Sequence, residues 1–166
     1  MLKQTIGTIS AAVLLAVAGS AAAATKTDTM QVSATVAKNC IIDAPDLNLG
    51  TFDGTNNLAA NSTISVRCTS GTTFFVDLST GAGTYANRTM SNGTDTLSYN
   101  LYTDAGYTTV WGDGTASTGR GSGTGAGMAV GNAQSVLVYG QLLASANTGP
   151  VGAGTYTDTI TATITY

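Results

Sequence analysis

The chain has 166 residues, with six Lys and Arg set against nine acidic residues, all Asp, and no His. Without His, a Ser–His–Asp triad and a Cys–His pair are excluded, and paired carboxylates would have to be two Asp, so an enzyme is not expected. No basic run supplies the electrostatic footprint of nucleic-acid binding.

The N-terminus reads as a leader. Lys3 provides a basic start, Ala11–Gly19 an apolar stretch too short to span a bilayer, and Ala22-Ala23-Ala24 a cleavage signal. Residues 1–24 are therefore expected to be a signal peptide, and export follows. The remainder is rich in Thr, Gly, Ser, Asn and Ala, a composition that points to one all-β domain with long surface loops.

In chain order, Met30, Val32, Ala34 and Val36 alternate with polar or small residues, the period of a strand with one buried face. Asn48–Phe52 is a short extended segment. Ser62–Cys68 turns Ile64, Val66 and Cys68 inward. Thr73–Ser79 follows, between turn signals at Ser70-Gly71 and Gly81-Ala82-Gly83. An exported chain with an even cysteine count is read as carrying a Cys40–Cys68 disulfide. The loop of about 29 residues that it closes corresponds to about 3.5 kcal/mol in the chain-entropy model. A metal pair is the poorer reading, because no His and no third Cys are available, and no metal or cofactor is expected.

Asp95–Asp104 places Leu97, Tyr99 and Leu101 on one face, and "TTVWGDG" suggests a brief strand. Between Gly112 and Gly131 the sequence holds eight glycines and reads as a mobile surface loop; it contains no phosphate-cradling motif. Ala133–Leu143 is apolar on both parities, as a central strand buried on both sides would be. The final stretch is the most regular: Tyr156, Asp158, Ile160, Ala162, Ile164 and Tyr166 alternate with an unbroken series of threonines. Seven or eight short strands with no helical period give an immunoglobulin-like β-sandwich.

Three stretches carry a more specific signal. "LSYNLYTDAGYTTVWGDGT" (Leu97–Thr115), "VLVYGQL" (Val136–Leu142) and "GTYTDTITATITY" (Gly154–Tyr166) resemble the spore coat U domain of Csu-type archaic chaperone–usher pilus subunits, and in particular a major subunit. The early cysteine pair after an exported leader fits the same pattern. One departure is Gln141-Leu142 after the Tyr-Gly pair, where relatives often carry a basic residue and a proline.

The resemblance implies a sandwich lacking its last strand. Residues 25–36 would be a donor segment presenting Met30, Val32, Ala34 and Val36, and residues 37–166 the pilin domain. Tyr156–Tyr166 would border an open groove. A periplasmic pilus chaperone would fill that groove first. At an outer-membrane usher, an identical subunit would replace it, building a head-to-tail surface fibre for adhesion and biofilm formation. Two other readings stand beside this one. The chain could be a secreted monomeric sugar-binding sandwich using Trp111 with Tyr99 and Tyr102, although such a Trp more often packs under a loop. It could also be a spore or cell-coat protein. Asp43, Asp46 and Asp53 lie close together, but without EF-hand spacing they read as loop-stabilising Asx turns rather than a calcium site.

Overall fold

The computed structural model describes residues 22–166 and divides the chain into two units, the second of which is Val36–Tyr166. The leader expected over residues 1–24 lies outside the described residues except for its last three. In the first unit, residues 22–35 form neither strand nor helix and are exposed throughout. The alternating stretch Met30–Val36 is thus not an internal first strand. Its periodicity suits one, but a strand needs a partner ladder, and none is hydrogen-bonded to it among the described residues.

The second unit contains eight strands: β1 (Cys40–Asp43), β2 (Leu58–Cys68), β3 (Thr73–Leu78), β4 (Arg88–Ser91), β5 (Thr96–Tyr102), β6 (Gly121–Thr124), β7 (Gln134–Leu142) and β8 (Ala162–Thr165). All pairings are antiparallel. They form a five-stranded sheet in the order β1-β2-β7-β5-β4 and a three-stranded sheet in the order β6-β3-β8. The core is the product of period-two alternation on both sheets. Ile64, Val66 and Cys68 of β2 and Leu97, Tyr99 and Leu101 of β5 meet Phe74, Val76 and Leu78 of β3. This is the immunoglobulin-like sandwich expected from the sequence. Cys40 and Cys68 are directly opposite in register and are disulfide-bonded, tying β1 to the core side of β2.

Three expectations need correction. First, β7 is central in its sheet, between β2 and β5, but it is buried on one face only: Val138 and Leu142 point inward while Leu137 is 43% exposed. An antiparallel sheet can leave its outer face to solvent, which apolar residues on both parities did not reveal. Second, the glycine-rich stretch is not simply a surface loop, because it contains β6 and a 3-10 turn at Val130–Asn132. Glycine is required there by close packing. A Cβ at Gly121 would lie 2.5 Å from Cζ2 of Trp111, and one at Gly123 would lie 2.6 Å from Cζ of Phe74. Third, "TTVWGDG" makes isolated bridges at Val110 and Trp111 rather than a strand.

Trp111 is fully buried, and its indole N–H donates to the Val76 carbonyl at 2.9 Å. It cannot serve as a sugar-stacking platform, which removes the main support for the carbohydrate-binding reading. Asp53 accepts from the backbone N–H groups of Thr55 and Asn56 and from both their side chains. These bonds, that from the Asn56 backbone foremost, hold its carboxyl far below the ordinary range, so this acid is a loop clasp.

The fit of Gly121 against Trp111 makes a prediction. Gly121→Val should cost about 1–3 kcal/mol in urea unfolding through overpacking. Gly131→Ala, where a Cβ meets nothing within 4 Å, should stay within about 0.5 kcal/mol of the parent chain.

Candidate functional site

A groove of about 530 Å³ opens into the second unit between two extended segments, one from Ala44 to Gly50 and the other from Thr155 to Ala162. Its floor is core: Ile64, Leu78, Tyr99, Leu101 and Val138, with Met90 beside them.

The first wall continues from β1 along the edge of the five-stranded sheet. Glycine at position 140 admits it: a Cβ there would meet Leu47 Cδ2 at 2.9 Å and Leu49 Cδ2 at 3.1 Å. Leu47, Leu49 and Phe52 thereby pack against the core although their segment is not a strand. The Ser62 hydroxyl lies 3.2 Å from the Pro45 carbonyl and 3.3 Å from that of Asp46, and donates to them. The backbone N–H groups of Asp46, Leu47, Asn48 and Leu49 have no hydrogen-bond partner among the described residues.

The second wall is the terminal stretch. Its expected alternation is present, with Tyr156, Asp158, Ile160, Ala162 and Ile164 half-buried and the threonines exposed, while Tyr166 is exposed. Its ladder is shorter than Tyr156–Tyr166 suggests. Thr157 bridges Ser91 at the end of β4, Thr161 bonds Ser79, and only Ala162–Thr165 forms the strand paired with β3. The physical reason is a crossing: between Thr157 and Ala162 the chain passes from the edge of one sheet to the edge of the other. Along that crossing the N–H groups of Tyr156, Asp158 and Ile160 have no partner among the described residues. Backbone groups of alternate strand residues point to opposite sides, so these three are directed away from β3 and β4. Two strand edges with free donors therefore line one apolar-floored groove, and no backbone hydrogen bond joins them.

A polar cluster anchors the second wall. The Tyr99 hydroxyl donates to Asp158 at 2.7 Å, and the Ala82 N–H donates to the same carboxylate at 3.0 Å. Behind Tyr99 lies Arg88, completely buried, whose guanidinium donates to the carbonyls of Ser79 and Trp111 and to Oδ1 of Asn100 at 2.6–3.0 Å. Burial pulls the Arg88 pKa below its ordinary value. Sequence reasoning missed this residue; its strand, Arg88–Ser91, is four residues long with a single apolar side chain, Met90, too little for alternation to mark. It also missed the wall residues Leu47 and Leu49. Of the donor residues expected from sequence, Met30, Val32 and Val36 are 86%, 83% and 81% exposed, and Ala34 is exposed too.

Burial, and then the hydrogen bond to Asp158, hold the Tyr99 phenol well above its ordinary value of 10.0. The folded state thus keeps a proton that the unfolded chain loses above about pH 10, so stability is level below that pH and falls as pH rises beyond it. In Tyr99→Phe the loss of stability between about pH 10 and 12 should be shallower than in the parent chain, as read by denaturant unfolding at each pH. Tyr85, Tyr102 and Tyr156 are shifted the same way and should retain the remaining slope.

Comparison with known proteins bears on the family and the fold. The family model of the Spore Coat Protein U domain matches residues 26–163. Over 185 aligned residues the chain is 34% identical to Protein U of Myxococcus xanthus, covering 99% of this chain and 98% of that protein. Its fold is similar to a chain in the crystal structure of the CsuC–CsuE chaperone–tip adhesion subunit pre-assembly complex from archaic chaperone–usher Csu pili of Acinetobacter baumannii. That likeness has a TM-score of 0.56 and 26% identity, and it covers 80% of this chain. The chain spans only 40% of that structural relative's length. The resemblance to Csu-type subunits suggested by the motifs holds, and the chain belongs to the Spore Coat Protein U domain family.

Proposed function

We propose that this protein is a structural subunit of a chaperone–usher surface fibre, assembled when the exposed N-terminal segment of one copy fills the groove of the next. The observation that carries this reading is the pair of unpaired strand edges facing a core-floored groove. An edge of that kind is an aggregation hazard unless something covers it, and an added strand supplies both the ladder and side chains for the pockets. The segment 25–36 has the required form: free of strand and helix, exposed and alternating, with Met30, Val32, Ala34 and Val36 on one parity. Burying Met30, Val32 and Val36 contributes about 1.5–3 kcal/mol each before the ladder forms, against about 1–2 kcal/mol per residue to order the tail. Over twelve residues the ordering term is the larger, so the driving force rests on satisfying the groove itself. A head-to-tail contact that does not close on itself grows a filament.

In this reading a periplasmic chaperone occupies the groove before assembly, and an outer-membrane usher is where a second copy displaces it. The structural relative, solved in a chaperone–tip adhesion subunit pre-assembly complex, supports the chaperone partner. Export through the periplasm to the cell surface, adhesion and biofilm formation follow as its consequences. The chemistry of the chain suits a structural rather than a catalytic role. A second reading has its own support: the match to Protein U over nearly the whole of both chains favours a coat-forming role, in which the same strand exchange would build a surface layer.

Deletion of Thr25–Val36 tests the central assignment. The shortened protein should still co-purify with its chaperone but form no polymer by negative-stain microscopy. Normal fibres from the shortened protein would refute the donor role.

A further inference from the structure

We infer that Tyr99 and Asp158 are positioning residues for strand acceptance: their hydrogen bond pins the crossing segment of the second wall in the register an incoming strand must meet. The inference rests on the strand-acceptor reading above and adds a specific device to it.

Between the bridge at Thr157 and the strand beginning at Ala162, the wall leaves one sheet edge and joins the other. A segment in transit between two ladders has few backbone bonds to fix it. Here the carboxylate of Asp158 does so from the inside. It takes the Tyr99 hydroxyl at 2.7 Å from the floor of the groove and the Ala82 N–H at 3.0 Å from the loop after β3. The seat is shaped for it: a Cβ on Gly81 would fall within 3 Å of every oxygen of that carboxylate, so only glycine leaves the room. Gly81 also has φ +60, a conformation that favours glycine independently.

The support extends behind the pin. Arg88 is the register partner of Tyr99 across β4 and β5, and its guanidinium is held by Ser79, Asn100 and Trp111. Ser79 in turn bonds Thr161 twice, through its own N–H and through its hydroxyl. The two ends of the crossing are therefore referenced to one buried scaffold. Asp158 also lines the groove, and its N–H is among the three unpaired donors of that wall. Losing the pin releases the donors that a ladder needs to find in line, while the hydrophobic core beneath is untouched. Hydrogen bonds to a carboxylate are among the stronger ones, so the effect on strand retention should be large.

The test uses the mature chain and a fluorescent peptide with the sequence of Thr25–Asn39 as the strand. Peptide is loaded, chased with unlabelled peptide, and its release followed by anisotropy. Tyr99→Phe and Asp158→Ala should release it about tenfold faster or more. Asp158→Asn, which can still accept from Tyr99, should fall between them and the parent chain and guards against a variant that does not fold. Gly127→Ala serves as a control: Gly127 has φ +124 and a Cβ there would lie 2.7 Å from Nδ2 of Asn132, so the variant is destabilised at a place that neither lines the groove nor touches the pin, and it should release at the parent rate. Equal release from all the folded groove variants, or acceleration by Gly127→Ala matching that of Tyr99→Phe, would overturn the inference by reducing the pin to general stability. Failure of the parent chain to bind the peptide at all would instead sink the strand-acceptor reading, and this inference with it.

Discussion

An edge that presents unpaired backbone N–H groups beside an apolar groove invites a partner strand, and this protein has two such edges. The amides of Asp46–Leu49 on one side, and of Tyr156, Asp158 and Ile160 on the other, border a groove whose floor is the core itself. An extended segment laid between them would meet donors on both flanks and apolar side chains beneath. The proposed assembly, the use of a chaperone and the placing of an exposed alternating tail ahead of the sandwich all depend on that one unmet requirement.

The rest of the fold can be understood as holding the two edges apart. On the first side, the Cys40–Cys68 bond fixes where the wall begins, Gly140 makes room for Leu47 and Leu49, and Ser62 catches the carbonyls of Pro45 and Asp46. On the second side, β8 is held by β3 while the preceding crossing is held by side chains rather than by a ladder. Buried Arg88 is the costliest element of this arrangement. A charge in the interior is tolerated only when fully hydrogen-bonded, and here three acceptors from three different parts of the chain converge on it. It binds the loop after β3, strand β5 and the Trp111 segment into one frame.

Much of the sandwich was legible from residue order because period-two alternation reports burial directly. Ile64, Val66 and Cys68, and Leu97, Tyr99 and Leu101, are inward in the fold as the pattern predicts. The disulfide was legible from cysteine arithmetic in an exported chain. What alternation cannot report is pairing. It gave the terminal stretch one continuous ladder when that stretch divides between two sheets. Glycine gave the opposite error, since β6 uses glycines so that Trp111 and Phe74 can lie against its backbone. The first wall of the groove was invisible for a related reason: Leu47 and Leu49 reach the core through space left by Gly140, far away in sequence.

Amide hydrogen exchange of the first wall is the most direct measurement of the central claim. In the isolated mature chain the amides of Asp46, Leu47, Asn48 and Leu49 should exchange freely, while those of β2 and β7 are protected; in the assembled polymer the wall amides that face the added strand should slow by about a hundredfold or more. Wall amides already protected in the isolated chain, and unchanged on assembly, would mean that the sandwich completes itself and that the groove is not where subunits join.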